Sequence, residues 1–176
     1  MSSDLSVRIP GPVEIAELVQ PTEATLYTLL NVPRVPSVHL FLMQAGNQRP
    51  VHTGRLSHDQ AGMFFFQLDG FIEAVGVTVV EVPPHPLLLP EESGLWAHIT
   101  VAAARTPLEF ALAASVAVAL ARLVGSTVID DDFRWNPVFE QSPDAFLEAV
   151  RVPEPMPDLP HAAAVMYTRI RQRTKT

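Results

Sequence analysis

The stretch Thr106–Ile129, TPLEFALAASVAVALARLVGSTVI, decides the fold. Thr106 stands at a helix N-cap position, Pro107 at the first helical residue and Glu109 three residues after the threonine. A hydroxyl and a carboxylate at that spacing satisfy orphan N–H groups reciprocally, and proline at the first position forfeits no hydrogen bond. The pattern predicts a helix from Pro107 to about Val124. Arg122 falls in its last turn, where a cation complements the dipole, and Gly125 supplies a left-handed C-cap. The helix body is rich in alanine and apolar on nearly every side, which suits a helix lying on a sheet with a second element across its back. Ser126–Ile129 then reads as a strand, and Asp130–Pro137 (DDDFRWNP) as its exit turn.

Upstream the hydrophobic period is that of strands. Ser37–Gln44, Gly62–Gly70, Glu73–Val82 and Leu95–Ala104 are short runs rich in Val, Phe, Ile and Thr, set off by Gly, Pro, Asn or charged residues. In the last of these, Leu95, Ala97, Ile99, Val101 and Ala103 share one face, while Trp96, His98 and Thr100 share the other. Phe64, Phe65 and Phe66 form a continuous apolar run, which predicts a central strand covered on both sides. Val13–Leu30 has near-helical spacing broken by Pro21, so two short helices are expected, the second starting near Thr22.

Downstream, Ser142 and Pro143 repeat the helix-start signal for a short helix. Val152–Pro160 (VPEPMPDLP) reads as a polyproline-like connector, and His161–Thr176 as a last helix ending in Arg169, Arg171, Arg173 and Lys175. The expected architecture is α+β: a mainly antiparallel sheet of about five strands, with a long Ala-rich helix and shorter helices packed on it. Residues 1–151 form one domain in this reading, and 152–176 a connector and C-terminal helix.

Composition narrows the chemistry. The chain has 176 residues, 48% apolar and 18% charged, enough for one self-sufficient core. With no cysteine, disulfides, thiolate metal sites and thiol nucleophiles are excluded. A formal charge of -7 disfavours nucleic acid and favours a basic or positively patched protein partner. The N-terminus has Asp4 where a signal peptide needs net positive charge, and the apolar run Phe110–Ala121 is shorter than the roughly 20 residues of a membrane span. A cytoplasmic protein with no membrane partner is expected.

Candidate sites are few. Asp130, Asp131 and Asp132 resemble a metal-binding or water-polarising cluster only weakly. Successive strand residues alternate in direction, and the loop lacks the ordered oxygen ligands, glycine and terminal glutamate of a calcium hand. The plain alternative is a charged strand end that blunts an edge. The six histidines His39, His52, His58, His85, His98 and His161 show no zinc-ligand spacing. His98, in mid-strand, is the best single candidate, with a packed, hydrogen-bonded role as the plainer alternative. Ser57, His58 and Asp59 are adjacent in sequence, whereas a catalytic triad converges from separate segments. Glycines stand alone, so no phosphate loop is read. Residues 130–158 carry eight acidic side chains against Arg134 and Arg151, a surplus that can attract a basic partner or neutralise the basic tail.

The run FALAASVAVALARLVGSTVIDDDFR, in which a helix ending in glycine leads to a strand and an acidic turn, resembles a pattern in small bacterial α+β binding domains. These include the ZipA C-terminal-like domains and the immunity proteins of polymorphic toxin systems. The resemblance implies a noncatalytic protein-binding domain, here an immunity protein that neutralises a cognate bacterial toxin. On this reading Asp130, Asp131, Asp132, Phe133 and Trp135 form the partner-binding surface, and no cofactor, metal or catalytic residue is assigned. The alternatives are a scaffold subunit docking through its C-terminal extension, and a small enzyme using His98 or His58 with carboxylates.

Overall fold

The structure, a computed structural model, describes residues 5–84, 93–101, 105–130, 135 and 139–173. Within its main sheet lies a strand that the sequence analysis omits. β1 (Leu5–Ile9) alternates Leu5, Val7 and Ile9 towards the core with Ser6 and Arg8 on the opposite side. The chain continues through β2 (Val13–Glu14), a 3-10 turn (Ile15–Leu18), α1 (Val19–Leu30), β3 (Val38–Gln44), β4 (Asn47–Pro50) and β5 (Arg55–Leu56). It then runs through β6 (Met63–Leu68), β7 (Ala74–Val82), β8 (Gly94–Val101), α2 (Pro107–Val124), β9 (Val128–Ile129), β10 (Glu140–Gln141), α3 (Pro143–Val150) and α4 (Leu159–Arg173). Eight strands form one sheet in the order β10-β9-β1-β8-β7-β6-β3-β4, while β2 and β5 pair separately. The paired strands are antiparallel.

The α+β class and the antiparallel sheet stand, but the sheet has eight strands, not about five. The additional strands are β1 and the short pieces β4 and β10, the last two at the edges. Two to four residues give too short an alternation to register as a periodic signal.

α2 is built as its sequence dictates. The Thr106 hydroxyl accepts from Glu109 N–H (3.2 Å), the Glu109 carboxylate accepts from Thr106 N–H (2.9 Å), and Gly125 adopts φ 66° at the C-cap. Every residue from Leu108 to Ala121 is buried. The alanines allow the helix backbone to lie close to β1, β7 and β8, while α1, α3 and α4 pack around it. By length and composition α2 is apolar enough to cross a membrane, yet its apolar surface is taken up inside the fold.

Pro21 does not split the helical segment. The first part, Ile15–Leu18, is a 3-10 turn, and α1 begins at Val19, placing Pro21 in the first α-helical turn. N–H groups in that turn have no intrahelical acceptor, so the proline costs nothing there. At the other end Asn31 takes φ 49° and donates from its side chain to Pro153 O (2.9 Å). Val152 N–H donates to Leu29 O and Met156 N–H to Asn31 O, which ties the proline-rich connector to α1. α4 follows, with Asp158 accepting from His161 N–H (2.8 Å) at its start and Leu159, Ala162, Ala163, Met166 and Ile170 joining the common core.

Phe64 and Phe66 point into that core, but Phe65 does not. The run alternates as strands must, and Phe65 emerges half-buried on the far face, so the expectation of cover on both sides fails.

Candidate functional site

The helices and the core share one face of the sheet. The described residues place no helix or strand over the other. Its side chains follow from strand alternation and register. One row runs Phe41–Phe65–Gly76–Thr100, a second Thr78–His98–Ser6–Ile129–Glu140, and a third Val80–Trp96–Arg8. Met43 pairs with Met63, whose thioether lies across Gly76 where a β-carbon would collide with it. At the β3–β6–β7 end this face carries Phe41, Met43, Met63 and Phe65 beside the polar pair His39–Gln67, and at the β8–β1–β9 end it is mixed.

A cleft of about 460 Å³ opens at the mixed end, where Ser6, Arg8, Val82, Trp96 and His98 meet Ser126, Thr127, Ile129, Phe139 and Glu140. Ser6 Oγ and His98 Nδ1 are 2.9 Å apart. Ser6 is only 1% exposed, so its hydroxyl fixes the imidazole from beneath and is closed to an incoming substrate. Glu140 accepts from the Thr127 hydroxyl (2.6 Å). A second cleft of about 420 Å³ adjoins the first and shares Arg8 and Ser126 with it.

The acidic turn is a different environment. Asp130 is 1% exposed and Trp135 is 0% exposed. The Asp130 carboxylate accepts from Trp135 N–H (2.7 Å), and Asp130 N–H donates to Phe139 O (2.9 Å). The indole of Trp135 packs between Phe110 and Phe146, at centroid distances of 4.8 and 6.2 Å. With almost no exposed surface, Asp130 and Trp135 lie in the interior of this fold. Asp131, Asp132 and Phe133 lie outside the described residues.

Much of the remaining acidic surplus is also engaged within the chain. Asp144 accepts from Arg122 (2.6 Å), Glu148 pairs with Arg151 (3.0 Å), and Asp158 caps α4.

The other candidate residues are dispersed. His39 lies 3.5 Å from Asp69 and His58 lies 3.6 Å from Glu81, both as exposed pairs, which contribute little to stability. Ser57 donates to Asp59 (2.5 Å) and not to His58. That hydrogen bond holds the Asp59 carboxyl below its ordinary pKa, helped by a backbone hydrogen bond. His52 and His161 are exposed, and His85 lies outside the described residues. Among the described residues no three His, Asp or Glu side chains gather into a cluster.

Sequence reasoning singled out His98 but missed Ser6, Arg8 and Phe139. For the first two the signal was present, as the alternation Leu5-Ser6-Val7-Arg8-Ile9; Phe139 stands two residues after Pro137 and carries no periodic signal. The chain matches no family model, no curated protein and no solved structure. The fold is an α+β domain with helices on one side of its sheet and, among the described residues, no helix or strand across the other.

Proposed function

We propose that the chain is a noncatalytic protein-binding domain, of the kind that neutralises a toxin as an immunity protein, and that it engages its partner through the uncovered sheet face. One observation carries this reading: Met43, Val80 and Phe139 are 38%, 45% and 46% exposed on that face, beside half-buried Phe41, Phe65 and Trp96. Large apolar and aromatic side chains exposed along one sheet face are the composition of a protein interface. The net charge of -7 favours a basic partner by long-range attraction. Docking through the C-terminal extension is less well supported, because α4 spends its apolar side on the core.

The experiment is co-expression with the product of the adjacent gene, scored by growth. The expected result is that the wild-type chain restores growth and that Val80→Asp with Phe139→Asp does not, at equal soluble level. Restoration by both chains, or by neither, counts against the reading.

A second reading, a small enzyme, draws on the Ser6–His98 pair in a cleft that also holds Glu140. There His98 would act as a base on a bound ligand, since Ser6 is inaccessible as a nucleophile.

A further inference from the structure

Arg8 and Ser126 are the two residues common to both clefts. Among the described residues neither side chain has a hydrogen-bond or ion-pair partner, although Ser126 N–H closes the end of α2 on Ala121 O. An unpaired guanidinium within a concave site is a ready carboxylate receptor, because its planar fork matches two carboxylate oxygens. The guanidinium extends over Gly94, where it would lie 3.7 Å from a β-carbon. Next to it in register is Trp96, and Phe139 lines the same cleft. The volume of about 460 Å³ is that of a small-molecule site.

Two negative features bear on an anion here. Glu140 lies two strands from β1 and shares a row with Ser6, not with Arg8. The strand spacings put its backbone more than about 10 Å from that of Arg8, which itself leans away towards Gly94. The C-terminal carbonyls of α2 lie nearer, but Ala121 O and Arg122 O accept from Ser126 and Gly125 N–H.

We propose that the joined clefts bind a small planar carboxylic acid. Its carboxylate lies on Arg8 with the Ser126 hydroxyl as an added donor, and its ring lies against Trp96 and Phe139. His98, held by Ser6, stands beside the ring. This inference goes beyond the partner reading and does not depend on it, since its test uses no protein partner.

The experiment titrates the ¹⁵N-labelled full chain with indole-3-acetate and, separately, with neutral indole-3-acetamide. The indole N–H resonances of Trp96 and Trp135 are followed by NMR. The acid is expected to shift Trp96 and leave Trp135 in place, and the amide to bind at least tenfold more weakly, about the ratio expected from one charge-assisted contact. Arg8→Gln should abolish the preference for the acid, and Arg8→Lys should retain part of it, because the point charge survives without the fork. Spectral dispersion of each variant shows that the fold is kept; were Arg8→Gln to lose it, Ser126→Ala would serve, with a smaller loss of preference expected. Equal affinity for acid and amide, an undisturbed Trp96 at millimolar acid, or a preference that survives loss of Arg8 would overturn the proposal.

Discussion

Replacing Asp130 by alanine separates an interior aspartate from a surface one. The carboxylate accepts from Trp135 N–H at 2.7 Å within the protein, and both residues are essentially inaccessible. Removing the acceptor leaves that N–H buried without it. A hydrogen bond to a charged group contributes about 1.5–3 kcal/mol, and removing the carboxylate relieves part of its own desolvation, so a loss of about 2 kcal/mol is expected. For a chain of this length that corresponds to a fall in Tm of about 4–8 °C. Asp130→Asn keeps an oxygen for the Trp135 N–H and should lose about half as much. The assay is urea unfolding followed by far-UV circular dichroism, with the slope checked for constancy. An Asp130→Ala protein within about 0.5 kcal/mol of wild type, as an exposed aspartate would give, refutes the interior assignment.

Four further outcomes follow from the same structure. Trp135→Ala should cost about 3–5 kcal/mol in the same unfolding assay, and Trp135→Phe distinctly less, because among the described residues the indole N–H has no hydrogen-bond partner. Thr106→Ala should cost about 1 kcal/mol through loss of the capping box, measured as a shift in urea midpoint. Deleting residues 152–176 removes Leu159, Met166 and Ile170 from the core. At about 1.5–3 kcal/mol each this approaches a typical total stability, so the truncated chain should lose its cooperative transition in calorimetry. The Asp59 carboxyl, held low chiefly by Ser57, should titrate below its ordinary pKa in an NMR pH series and move up in Ser57→Ala. Its folded pKa is lowered, so any stabilisation it gives is present above the unfolded value and fades as pH falls through the folded one.

The elements readable from sequence are those whose signals are local. The Thr106–Glu109 capping box, Gly125 and the Ser142–Pro143 start each act within one turn of helix, and each appears where its chemistry puts it. β8 was legible to the face, because eight residues give a clear alternation. β4 and β10 have four and two residues and depend on a neighbouring strand for their conformation. Pro21 misled because a proline marks a boundary without saying on which side of it the helix begins. The acidic turn misled for a deeper reason. Three aspartates in a row read as solvated charge, but Asp130 lies inside, where its carboxylate accepts from the Trp135 backbone N–H, and Trp135 fills the space between Phe110 and Phe146. Such tertiary partners have no local signature. The cleft was half legible: His98 stood out, while its hydrogen-bond partner Ser6 on β1 comes from 92 residues away in the chain.

The most direct test of the uncovered face as the binding face is calorimetric titration of the partner, taken first as the product of the adjacent gene, into wild-type chain and into the Val80→Asp, Phe139→Asp variant. Two apolar anchors at an interface centre are worth a weakening of about a hundredfold together, and this is predicted with thermal stability unchanged. Equal affinity of the two chains for that partner would contradict it.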